Sequence, residues 1–174
     1  MPFAYFDKLT SAQQRTYRKS DMIRHIELPD IAPLMPLAAA IGRALESESP
    51  REVGRACQAL VDVTNAQMKT PPVVLRVLAR RPADSGGELQ GLYEPDEIAG
   101  GTARITLWMR TAQREQVVKF RTFLRTLVHE LCHHFDYELY RLDDTFHTEG
   151  FYTRESAMMR ELLGEVRRPT DRGG

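Results

Sequence analysis

The run His129-Glu130-Leu131-Cys132-His133 constrains this chain more than any other stretch. It lies inside a helical pattern. Val117, Phe120, Leu124, Leu127 and Leu131 recur at three- and four-residue steps, which predicts one helix from about Gln113 to Tyr140. On that helix His129 and His133 project from the same face, one turn apart. Two imidazole nitrogens so placed can meet a single zinc ion at about 2.0–2.1 Å. Glu130 is turned toward the open side of such an ion, where its carboxylate can take a proton from zinc-bound water. Zinc lowers the pKa of that water toward about 7. The chemistry expected of this pattern is hydrolysis of a peptide bond. Glu130 acts as general base and carries the proton to the leaving amine, while the metal polarises the carbonyl. Val128, Cys132 and Phe135 flank the histidines, so the helix is apolar on most of its circumference and is expected to be buried.

A catalytic zinc usually takes three protein ligands and keeps one position for water. Four of the five histidines fall between residues 129 and 147. His147 follows a polar loop beginning near Arg141 that can turn the chain back, and is the leading candidate for third ligand. Glu155 and Glu149 are its rivals, because glutamate also completes sites of this type. His134 points about 100° away from His133 and reads as a packing or surface residue. Asp136 is either an exposed carboxylate or an orienting partner of a ligand histidine. Tyr137 and Tyr152 read as half-buried packing groups. Cys57 and Cys132 read as small buried hydrophobes.

The rest of the chain supplies a setting for this helix. With 174 residues, 42% of them hydrophobic, a single domain over 1–174 with a full core is expected. A short helix is predicted in 10–20, capped by Thr10 or Ser11 and ending before Pro29, then helices over 33–46 and, after the capping pattern Ser49-Pro50-Arg51-Glu52, to about Met68. Pro71 and Pro72 stop the third. Strands are predicted at Val73–Ala79, Glu88–Tyr93 and Ala103–Met109, with a turn at Ser85–Gly87. Residues 1–70 thus form an N-terminal helical part, and a small, mostly antiparallel sheet stands between it and the later helices. This is an α+β order. The polar tail 165–174 is expected to fray.

Composition excludes several classes. Lys and Arg number 24, as do Asp and Glu, so the strongly basic balance of a dedicated nucleic-acid binder is absent. The apolar run Ile31–Ile41 is too short to span a bilayer and contains Pro33 and Pro36. Two cysteines far apart make no disulfide framework. A cytoplasmic protein acting on a peptide or protein substrate is the expectation.

Residues 73–163 resemble the SprT-like zinc metallopeptidases, a compact zincin group that includes the Spartan-type proteases. That family carries H-E-x-x-H on its active-site helix and a third histidine a dozen or so residues later, often as H-G-x-x-F. Here His147-Thr148-Glu149-Gly150-Phe151 has the histidine and phenylalanine at that spacing but no glycine directly after the histidine. The resemblance implies a zincin-like metallopeptidase core over 73–163. It implies zinc on His129, His133 and His147, with Glu130 as general base. It also implies that strand 103–109 flanks the cleft and pairs with extended substrate. No later cysteine cluster could form a zinc ribbon, and no strongly basic segment exists, so DNA-linked proteolysis is not implied. The ImmA/IrrE-like group is a second resemblance, with Glu155 as third ligand. An alternative function is a zincin-fold regulatory or binding module that holds zinc with little or no proteolytic turnover.

Overall fold

A computed structural model of the protein describes residues 1–82, 90–111 and 116–165. A 3-10 turn at Phe6–Lys8 leads into α1 (Ser11–Met22), α2 (Leu34–Glu46) and α3 (Pro50–Met68). Strand β1 (Val73–Arg80) follows, then β2 (Gly91–Glu94), the one-turn helix α4 (Asp96–Ala99), β3 (Ala103–Arg110), α5 (Phe120–Glu138) and α6 (Glu149–Leu162). The architecture is α+β, with six α-helices and three strands among the described residues.

The helix starts follow local chemistry. Thr10 accepts a hydrogen bond from the amide of Gln13 while the Gln13 side chain accepts one from the amide of Thr10, so α1 opens with a capping box. Ser49 Oγ accepts from the Glu52 amide and Pro50 occupies the first turn of α3. Thr148 accepts from the Phe151 amide at 2.9 Å and starts α6. The pattern Val117–Leu131 extends the predicted last long helix too far at its N-terminal end. Residues 116–119 lie outside α5, and 113–115 lie outside the described residues. The expected turn at 85–87, the start of the expected strand at 88–89, and the tail from 166 also lie outside them.

The sheet departs from expectation. Its order is β1-β3-β2, with β1 parallel to β3 and β2 antiparallel to β3, so it is mixed. An antiparallel reading treats β1 and β2 as a hairpin. Instead β2 pairs with β3, and the segment between β1 and β3 is long enough for the crossover that parallel strands require. β3 is therefore the central strand, hydrogen-bonded on both sides. It has no free edge to pair with a substrate, and the edge strand of the cleft is β2.

One face of the sheet packs on α5. Ala103, Ile105, Leu107 and Met109 of β3 are buried against Phe123, Leu124, Leu127, Val128 and Leu131, in a core that also takes Ile41, Val53, Leu60 and Met158. Cys57 and Cys132 are unpaired and buried there. No helix among the described residues is long and apolar enough to cross a membrane.

The N-terminal helices join the same body. α1 crosses the start of α6 so closely that a Cβ on Gly150 would lie 2.3 Å from the backbone oxygen of Asp21. The glycine two residues further along than in the resembling family thus has its own reason here: Thr148 caps the helix and Gly150 admits α1. Gly150→Ala is expected to lose roughly 1–3 kcal/mol of stability. Gly54→Ala, whose added Cβ meets only Val77 at 3.8 Å, is expected to be neutral or to gain up to about 1 kcal/mol. Urea denaturation of the two variants checks this, and equal effects would contradict it.

Candidate metal centre

α5 carries His129 and His133 on one face, as their spacing requires. After α5 the chain reverses. Arg141 takes the left-handed region at φ 53°, and the amide of Leu142 bonds back to the carbonyl of Asp136 at 2.9 Å. The returning loop delivers His147 one residue before the Thr148 cap of α6. The three rings then converge. Nε2 of His129 lies 3.0 Å from Nε2 of His147 and 3.3 Å from Nε2 of His133, and the remaining pair is 3.1 Å apart.

The opposite ring nitrogens explain what those Nε2 atoms present. Nδ1 of His129 lies 3.0 Å from Oε2 of Glu155, whose other oxygen accepts from Arg125 at 3.2 Å. A carboxylate only accepts, so His129 donates from Nδ1. Nδ1 of His133 lies 2.7 Å from Oγ1 of Thr145. The Thr145 hydroxyl donates its hydrogen to Asp136 at 2.7 Å, so it accepts from His133. Both ligand-type histidines are thereby held in the tautomer that leaves a lone pair on Nε2. Lone pairs aimed at one point within 3.0–3.3 Å repel each other, and a cation among them turns that repulsion into coordination.

The donor set fits such an ion. Tetrahedral ligands at zinc–nitrogen distances of ~2.0–2.1 Å stand about 3.3–3.4 Å apart. The three nitrogens are within a few tenths of an ångström of that spacing already. They are the only group of three or more histidine, cysteine or carboxylate side chains among the described residues close enough to share one ion.

Each sequence-derived candidate has a definite place. His129, His133 and His147 meet. Glu155 faces Nδ1 of His129, on the far side of the ring from the converging nitrogens. Glu149 is exposed and pairs with Arg24 and the N-terminal ammonium. His134 is fully buried, with Nε2 donating to the carbonyl of Pro71 at 2.9 Å and Nδ1 at 3.0 Å from the Tyr93 hydroxyl. It pins β2 to the chain entering β1. Asp136 is not an exposed helix carboxylate: it is buried and reaches His133 through Thr145.

Glu130 shares the cleft, a space of about 180 Å³ that it lines with the three histidines, Gly91 and Tyr93. Burial pushes its carboxyl up to about 7, Glu155 adds to that, and His129 and the amide of Tyr93 pull the other way. His133 is pushed down to about 2 by burial and then by His129 and His147. Burial and His129 also lower His147.

Two contributions escaped the sequence reading. A Cβ at Gly91 would lie 2.8 Å from the Thr126 methyl and 3.0 Å from the Glu130 side chain, so a larger residue would press on both. A glycine inside a strand signals such a close approach. Thr145 gave no sequence signal at all, because only the returning loop brings it to His133.

A scan against protein-family models, a search of curated proteins and a search of solved structures each match nothing.

The burial of Glu130 predicts a pH-dependent stability difference. Its folded pKa lies above the unfolded value, so the stability it contributes is complete below about 4.5 and lost as pH rises through about 7. In metal-free protein, Glu130→Gln removes this loss. Relative to wild type the variant should gain about 3 kcal/mol between pH 4.5 and pH 8, read by denaturant unfolding at the two pH values. A pH-independent difference would contradict the assigned burial effect.

Proposed function

We propose that the protein is a zinc-dependent metallopeptidase of the zincin type. His129, His133 and His147 are its metal ligands and Glu130 is its general base. The observation that carries this reading is the convergence of three Nε2 atoms within 3.0–3.3 Å beside a buried carboxyl group on the wall of the same cleft. When bound, zinc supplies a Lewis acid and an acidified water.

The chain's own residues do the rest. Glu155 and the Thr145–Asp136 pair fix the tautomers of His129 and His133. Glu130 removes a proton from water, holds it and delivers it to the departing nitrogen. In the metal-free protein burial raises the proton affinity of this carboxyl, which favours the holding step. β2, the edge strand, offers main-chain groups to an extended peptide. Tyr93 and Tyr137, stacked with centroids 6.2 Å apart, wall the cleft on that side and suit an apolar substrate side chain.

Zinc-loaded wild type should cleave members of an unstructured peptide library. Glu130→Gln should retain about one equivalent of zinc and lose roughly 10²–10⁴-fold in turnover. Gly91→Ala should displace the Glu130 carboxylate and lose on the order of 10²-fold with zinc retained. Stoichiometric zinc with no cleavage by wild type would move the protein to the alternative of a zinc-holding binding module. Absence of zinc from unchelated protein would remove both.

A further inference from the structure

His147 is the least supported member of the triad by its own element. His129 and His133 sit on a helix of about five turns, whereas His147 lies in the loop between α5 and α6. What holds it comes from the other end of the chain. The Tyr5 hydroxyl donates to the backbone carbonyl of His147 at 2.9 Å. Burial, followed by Tyr17 and Tyr152, pushes that phenol up to about 12, so it remains a donor. Tyr5 is held edge-on by Tyr17, which is fully buried and packs on Phe146, the residue before His147. On the other side of His147, the carboxylate of Asp21 accepts from the Gly150 amide at 2.8 Å, and Ser20 touches the Thr148 hydroxyl at 3.4 Å. Arg154 donates to the carbonyls of Ser20 and Ile23, which closes the end of α1 onto α6. Both flanks of the loop histidine are therefore gripped by residues 5–23.

We propose that the N-terminal segment, residues 3–23, is the brace that sets His147 in ligand position, with Tyr5 and Asp21 as its positioning residues. This rests on the metal-centre reading above. It assigns a role to a part of the chain that lies more than a hundred residues from the H-E-x-x-H run. Coupling of this kind is reciprocal. If the brace raises metal affinity through His147, metal bound to His147 must stabilise the docked brace.

The test uses full-length protein and zinc competition against a chromophoric chelator. Tyr5→Phe and Asp21→Ala should each weaken zinc binding by roughly ten-fold. Asp21→Asn keeps an acceptor oxygen and should restore it. In a His147→Ala background Tyr5→Phe should produce no further loss, because the two changes act on one ligand. A packing role alone would lower the melting temperature of metal-free protein and leave zinc affinity unchanged. Hydrogen exchange provides a second readout that needs no variant: zinc should slow amide exchange across 11–23 in wild type. Wild type that binds no zinc overturns the metal centre itself. Wild type that binds zinc, with affinity insensitive to Tyr5→Phe and α1 exchange unaltered by the metal, overturns the brace alone.

Discussion

The buried ion pair between Arg154 and Asp136 is the contact on which the rest of the structure depends. Both side chains are wholly inaccessible and the guanidinium lies 2.6 Å from the carboxylate. Leaving either charge buried without its partner would cost roughly 3–5 kcal/mol, a large part of the stability of a domain this size. The pair therefore dictates what else must be present. Asp136 belongs to α5 and Arg154 to α6, so these helices must meet here. The two terminal nitrogens of the guanidinium find further acceptors in the carbonyls of Ser20 and Ile23 and the Ser20 hydroxyl, at the end of α1. The Ser20 carbonyl also accepts from the Ile23 amide at 3.1 Å, so the arginine adds a second donor at the helix end.

The same pair reaches the candidate centre. Asp136 uses one oxygen for Arg154 and the other for Thr145, and Thr145 in turn accepts from His133. A line of hydrogen bonds thus runs from the end of α1 to the imidazole that faces the cleft. His129 has a shorter line, through Glu155 to the partly exposed Arg125. Two carboxylates back two histidines, while the third carboxylate, Glu130, stands in the cleft itself. Glu130 and Glu155 are both nearly inaccessible, yet only Glu155 has an arginine beside it. Without an arginine beside it, burial pushes the Glu130 carboxyl up to about 7.

Much of this was legible from local patterns. The four-residue spacing of His129 and His133 needs only helical geometry to place both rings on one face. The caps at Thr10 and Ser49 and the prolines at 71 and 72 mark real boundaries, because they act within a few residues. That His147 rather than Glu155 or Glu149 meets His129 and His133 took the chain reversal after α5 to decide. The sheet was less legible. β2 has four residues, and short strands carry little pattern, so nothing local chose between pairing with β1 and pairing with β3. Residues 116–119 were misread as helix because an apolar period continues through them, although they precede α5 and the Val118 amide bonds to the Met109 carbonyl instead.

By itself the sequence determined the elements, the helix that carries the motif and the types of donor available, since these depend on neighbours within about one helical turn. The tertiary structure decided the partners. It set β2 rather than β3 at the edge of the cleft, turned Glu155 toward Nδ1 of His129, hid Asp136 behind Thr145 and brought Tyr5 to His147 across 142 positions. Such contacts join residues far apart in the chain, and they exist only because the core has paid the entropy of bringing those segments together. No local pattern encodes them, which is why the donor types could be read from the sequence and the contacts that hold them could not.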